Sequence, residues 1–273
     1  MNVGVIGAGK WGKCILRTLA SSPSTITHIA YGGSDETERF LHTEYEGIPY
    51  TKNYLELLKN PAVDAVCIAT PIATHAEIAK MALNAHKHVF VEKPLSASTQ
   101  IITELYQLAD TDNLALFTGY LYLFDPAVQI LSEELQSASN IELNMVWNKN
   151  GTFDTSLHEN LLVHDLALVT ELIGIPHTDH ITKNERDVFE GTFIGDRGTA
   201  HISIDRTRTE KQKTIAVKVG ERTYQHMFVN ENLLAIELNA FFQATETGSA
   251  SNKKRKHIDT TVANILTSLQ KVT

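Results

Sequence analysis

Cysteine is nearly absent from this chain. Cys14 and Cys67 stand alone in 273 residues, and neither belongs to a Cys-x-x-Cys pair. That spacing excludes a paired-thiol redox or zinc motif, and both side chains read as small apolar residues in a reducing compartment. Positive charge is also in deficit: 24 Lys and Arg against 32 Asp and Glu give a net charge of −8. A chain so balanced lacks the basic face that phosphate backbones require, which argues against a nucleic-acid partner. One local exception, Lys253-Lys254-Arg255-Lys256 after Gly248-Ser249, reads as a solvated loop. No apolar run approaches the ~20 residues that span a bilayer. No basic segment followed by an apolar one precedes the strand at Val3–Ile6, so the expected location is cytoplasmic. Repeats and low-complexity segments are missing too, and no nucleophile elbow supports hydrolysis.

The residues that are present alternate with two different rhythms. Through residue 120, short apolar runs at Val3–Ile6, Ile26–Tyr31, Ala62–Ala69, His88–Val91 and Ala115–Gly119 alternate with segments of helical spacing at 11–21, 55–58, 75–85 and 98–109. Near-continuous apolar strands separated by helices predict a parallel sheet covered on both faces. Beyond that point a helix over 126–135 and a strand over 140–147 precede a strongly helical stretch over 160–172. Strand-like alternation then fills 188–194, 199–205, 214–219 and 223–228, and helices close the chain over 233–245 and 260–270. Successive strands without intervening helices predict a mostly antiparallel sheet. The expectation is an α/β protein: a domain with a parallel sheet over 1–120 and a separate α+β domain over 121–273.

Two short motifs carry chemistry. Gly7-Ala8-Gly9-Lys10-Trp11-Gly12 lies between the first strand and the first helix. There unpaired amides and the positive end of the helix dipole face a phosphate. Gly7 allows the tight turn, Gly9 the close approach of a pyrophosphate, and Gly12 the packing of helix on strand. The ribose position reads Tyr31-Gly32-Gly33-Ser34-Asp35-Glu36. Gly33 and Ser34 occupy the place where an acid would select NAD, and Arg39 follows a helical turn later. The cofactor is therefore NADP or NAD, with a slight lean to NADP. The second motif, Glu92-Lys93-Pro94, follows His88–Val91 and places a lysine at the ligand-bearing end of the sheet.

Together with Ala69-Thr70-Pro71-Ile72-Ala73-Thr74-His75, Gly119-Tyr120, Phe124-Asp125-Pro126 and Val163-His164-Asp165-Leu166, these motifs resemble the Gfo/Idh/MocA oxidoreductases. The resemblance implies a Rossmann domain and NAD(P)-dependent hydride transfer to or from a sugar, cyclitol or related polyol or carbonyl compound. It implies that Lys10, Trp11, Thr70, Pro71, His75 and Glu92 line the cofactor with the glycines, and that Lys93 serves both cofactor and substrate. Family members commonly carry Asp-x-x-x-His on one helix of the second domain, where the spacing stacks both side chains on one face. Here the pair is Asn160 and His164. Lys93 and His164 would handle the proton, and Asn160 and Tyr120 would place the substrate. An amide cannot accept a proton, so a second reading stands beside the first: a cofactor-binding sensor on the same fold. No metal is expected. His158 with His164, and His177 with His180, lack the spacing or further ligands of a metal site. The partners implied are a small-molecule substrate and copies of the chain itself, in a dimer or tetramer.

Overall fold

The computed structural model describes residues 1–151, 155–229 and 232–270. The first unit comprises residues 1–119 and 234–259. It is built on a parallel sheet of order β3-β2-β1-β4-β5-β6, formed by β1 (Asn2–Ile6), β2 (Thr25–Ala30), β3 (Tyr50–Thr51), β4 (Ala65–Ile68), β5 (His88–Glu92) and β6 (Leu116–Gly119). Residues Val3, Val5, Val66, Ile68, Val89 and Val91 are fully buried. That continuous burial is why these strands read as unbroken apolar runs: helices cover both faces. The crossovers are α1 (Lys10–Ala20), α2 (Asp35–Glu44), α3 (Tyr54–Lys59), α4 (His75–Asn84) and α5 (Thr99–Thr111). In α1, Ile15, Leu16 and Leu19 form the apolar stripe that packs inward. Each such side chain contributes about 1.5–3 kcal/mol on burial.

Two elements from the end of the chain complete this unit. Helix α8 (Leu233–Thr247) brings Phe241 into an aromatic cluster with Phe90 and Phe117, their ring centres 5.6–5.8 Å apart. Helix α9 (Asn252–Gln270) begins in this unit, where Asn252 donates to Asp110 and to the Leu114 carbonyl. A single division near residue 120 therefore gives the first boundary, while residues 234–259 cluster with the N-terminal unit. Lys253–Lys256 does not form a loop. It lies within α9, and the Arg255 guanidinium sits 3.1 Å above the Phe117 ring. Arginine stems can cover apolar surface in this way, and a run of charges hides that behaviour from sequence.

The second unit comprises residues 120–233 with 260–273, its description ending at 270. It holds α6 (Pro126–Glu134), β7 (Ile141–Asn148), α7 (Val163–Ile173), β8 (His177–Asn184), β9 (Val188–Gly195), β10 (Gly198–Asp205), β11 (Gln212–Val219) and β12 (Arg222–Met227). The sheet runs β12-β11-β7-β10-β9-β8, antiparallel except where β10 pairs with β7. In β7, Ile141, Leu143, Met145 and Trp147 are buried, alternating with Glu142 and Asn144, which are exposed. One face is thus apolar, and α7, buried nearly all round, packs there. Gly174, at φ +90°, ends α7 in a conformation that favours glycine. His177 and His180 lie on the edge strand β8. Among the described residues no helix is long and apolar enough to cross a membrane.

Candidate functional site

The glycine loop is fixed at both ends by the sheet. Gly7 donates to the Ala30 carbonyl and Ala69 to the Ile6 carbonyl, each at 2.8 Å, so the tips of β1, β2 and β4 are tied together. Gly7 has φ +98°, and a Cβ on Gly12 would lie 1.9 Å from the Gly7 carbonyl oxygen. Helix α1 can approach its strand this closely because residue 12 has no side chain. At Gly9 a Cβ would meet nothing within 4 Å, and no side chain caps the first turn of α1. The helix therefore starts with uncapped amides facing open space, which suits a pyrophosphate. Lys10 is the exposed first residue of α1.

Beside the tip of β2, Gly33 has φ +86° and Ser34 caps α2 by accepting from the Thr37 amide. Three acids follow, Asp35, Glu36 and Glu38. Lys13 pairs with Glu36 at 3.0 Å and Lys52 with Glu38 at 3.2 Å. Hydrogen bonds from Lys13, and from Tyr31 and Lys52, hold these two carboxyls below their ordinary range. Lys52 also passes beside Gly33, its Cδ 3.5 Å from where a Cβ would stand. Sequence considered Arg39 alone as the cation here. Lys52 escaped notice because it follows a two-residue strand with no readable period.

At the end of β5, Glu92 accepts a hydrogen bond from the Trp11 indole Nε1, joining the glycine loop to the Glu92-Lys93-Pro94 segment. Burial pushes the Glu92 carboxyl up to about 7, against the opposing pull of the Lys93 ammonium and the Trp11 donor. Lys93 is half-buried and Pro94 buried. Thr74 donates from its hydroxyl to the Pro71 carbonyl, with the Thr70 hydroxyl 2.8 Å from the same oxygen, shaping the turn after β4. His75 is 1% exposed, and its ring nitrogens face the Thr70 and Pro94 carbonyl oxygens at 2.8 and 2.9 Å. Its ring is thus engaged with backbone rather than presented along an open cofactor surface.

The second unit holds its own cluster. His164, in the first turn of α7, packs against Tyr122 and Trp147, with ring centres 5.1 and 5.8 Å away. The same two rings enclose the Lys213 ammonium, 4.0 and 3.3 Å from their centres, and Phe228 adds a third at 5.4 Å. Lys213 reaches Asp165 at 2.8 Å. Burial raises the Asp165 carboxyl above its ordinary range, and the Lys213 charge opposes it. Tyr120 is 4% exposed, so its side chain is packed inside. Asn160 lies in a π-helical turn, His158–Leu162, that runs straight into α7. The Val163 amide there bonds the His158 carbonyl, five residues back. The Asn160 amide donates to the Thr155 hydroxyl at 3.1 Å. Sequence inspection passed over Lys213, whose acidic partner is 48 residues away. Among the described residues no group of three or more His, Cys, Asp or Glu is placed to hold a metal.

Residues 1–120 match the family described as "Oxidoreductase family, NAD-binding Rossmann fold" (GFO_IDH_MocA). A myo-inositol 2-dehydrogenase of Thermotoga maritima is 32% identical over 142 residues, taking in 51% of this chain and 42% of that enzyme. A UDP-N-acetylglucosamine 3-dehydrogenase of Acidithiobacillus ferrooxidans is 29% identical over 246 residues, 85% of this chain and 76% of that one. Among solved structures, a 3-ketoreductase from Actinomadura kijaniata in complex with NADP and TDP-benzene superposes with a TM-score of 0.81 at 18% identity, covering 99% of this chain and 97% of that one. At that identity the likeness concerns the fold.

Proposed function

With residues 1–120 matching the Gfo/Idh/MocA oxidoreductase family, we propose that this protein is an NAD(P)-dependent enzyme that moves a hydride to or from a sugar, cyclitol or related polyol derivative. The observation that carries this reading is the Trp11–Glu92 hydrogen bond, which ties the glycine loop to the segment bearing Lys93. When bound, the nicotinamide supplies the hydride acceptor or donor. Gly7, Gly9 and Gly12 with the first amides of α1 would hold its pyrophosphate, and Gly33, Ser34 and Lys52 the adenosine ribose, with NADP preferred. Thr70 and Pro71 would border the nicotinamide side.

Lys93 then has defined proton work. In the oxidative direction its neutral amine takes the hydroxyl proton as the carbinol carbon gives up its hydride. In the reductive direction its ammonium returns that proton to the oxygen of the forming alcohol. His164, whose ordinary pKa lies near neutrality, is the second candidate acid–base group, with Asn160 and Tyr120 placing substrate. A panel of sugars, polyols and their keto forms, tested with each cofactor at the absorbance of the reduced nicotinamide, checks the reading. Lys93→Ala should then lower kcat by at least about a hundredfold while sparing cofactor affinity, the scale of a lost acid–base group. A near-normal rate in that variant defeats the mechanism.

The amide at Asn160 favours a second reading, a cofactor-binding sensor. Tight cofactor binding without turnover of any panel member would support it. The open polar face of the second sheet, with Glu142 and Asn144, is where a homo-oligomer would form. Light scattering that shows monomer alone would remove that part.

A further inference from the structure

His75 sits at the junction of two loops that the proposed reaction needs. It is the first residue of α4 and is almost wholly buried, with its Nε2 2.8 Å from the Thr70 carbonyl oxygen and its Nδ1 2.9 Å from that of Pro94. Thr70 belongs to the turn after β4, and Pro94 directly follows Lys93. Both partners are carbonyl oxygens, which accept and never donate. A neutral imidazole has a single N–H, so it can satisfy one of them and must turn a lone pair toward the other. A ring with both nitrogens protonated satisfies both. We infer that His75 is a positioning residue for Lys93: when both its ring nitrogens carry a proton, it staples the Pro94 carbonyl to the Thr70 turn and so fixes the backbone from which Lys93 projects.

The surroundings make the staple responsive to protons. Burial, with help from the Lys93 ammonium, favours the neutral ring, and the carbonyls of Pro94, Thr70 and Glu92 favour the charged one. Among the charged groups nearby, Lys93 acts on the ring directly, Glu92 meets it through its backbone carbonyl, and Glu77 of the same helix is exposed. The net displacement is downward from the ordinary histidine value. Both bonds are therefore made on the acid side, and one is given up as pH rises and the ring becomes neutral.

This inference rests on the proposed hydride transfer for its consequence, but its test does not. Nitrogen-15 spectra of the His75 ring in the full-length protein, between about pH 5 and 8, report how many ring nitrogens carry a proton. Amide exchange at Glu92, Lys93 and Leu95 reports the loop. The expected result is a doubly protonated ring at the acid end, with exchange at those amides rising as the ring loses its proton. His75→Phe should raise their exchange by about tenfold or more, the effect of one to two lost hydrogen bonds. His75→Gln, which keeps one donor, should fall between, and it serves if the phenylalanine variant fails to fold. Where a substrate has been found, His75→Gln should lower kcat with the cofactor KM within about twofold, and it should move the pH profile. A ring neutral down to pH 5, or loop exchange indifferent to both variants, overturns the staple. Absence of turnover in the unaltered protein with the staple intact would instead count against the proposed activity.

Discussion

Lys213 holds its ammonium 2.8 Å from the Asp165 carboxylate, and both ends of the pair are buried. The Trp147 and Tyr122 rings that close over the lysine also flank His164. An ion pair taken out of water repays its desolvation only when both members are present. Lys213→Met or Asp165→Asn should each cost about 3–5 kcal/mol, because each leaves an uncompensated buried group. Lys213→Met combined with Asp165→Leu should recover most of that loss. Urea unfolding of the three variants is the measurement. A double variant no better than the singles would show that packing, not charge, holds the cluster.

Trp11 and Glu92 offer a titration with a local reporter. The Glu92 carboxyl is held at about 7 in the folded chain, chiefly by burial, against an ordinary value near 4.3. Between those values the folded state binds a proton that the unfolded state has released. Glu92 therefore costs nothing below about pH 4, and stability falls as pH rises through the window toward about 7. The indole proton of Trp11 should shift with a midpoint near 7 in NMR spectra, and Glu92→Gln should abolish that shift. A flat titration between about pH 5 and 8 would sink the assignment.

Much of the first unit was legible because its strands are buried on both faces, so that Ala65–Ile68 and His88–Glu92 announce themselves as apolar runs. The elements that went unread are polar ones. Helix α2 buries Leu41 alone, and β8 is an edge strand with no buried residue. Neither leaves a periodic trace. Helix α9 opens on the basic run 253–256, where burial depends on an arginine lying along Phe117. The site was legible where motifs are contiguous, as in Gly7–Gly12 and Glu92–Pro94. It was not where partners are distant in sequence, as with Lys213 and Asp165.

The glycines of the loop should separate into structural and ligand-facing roles. A Cβ at Gly12 would overlap the Gly7 carbonyl oxygen at 1.9 Å, backbone that cannot easily yield. Gly12→Ala should therefore lose about 1–3 kcal/mol of stability, the cost of overpacking, along with cofactor binding. At Gly9 the space is open, and φ −73° suits any residue. Gly9→Ala should cost no more than about 1 kcal/mol, the N-cap preference for glycine over alanine. It should still weaken cofactor binding by about tenfold, because the methyl would enter the open space proposed for the pyrophosphate. Thermal unfolding and calorimetric titration distinguish the two. Equal destabilisation by both substitutions would remove the distinction.

Lys52 gives the proposed preference for NADP a single residue on which to turn. It lies over Gly33, where a dinucleotide fold presents the adenosine ribose, and its pairing with Glu38 leaves that acid neutralised. A carboxylate at this position would accept from the 2′-hydroxyl and repel a 2′-phosphate; an ammonium does the reverse. Lys52 is exposed, so its charge is screened and contributes less than a buried one. Lys52→Ala should accordingly weaken NADP binding about five- to tenfold while changing NAD binding by less than about twofold. The ratio should fall further at high salt, since surface charge is screened. Paired titrations of the two cofactors at two ionic strengths decide the matter. Equal losses for both would place Lys52 outside the ribose site, and tighter NAD binding in the unaltered protein would reverse the preference itself.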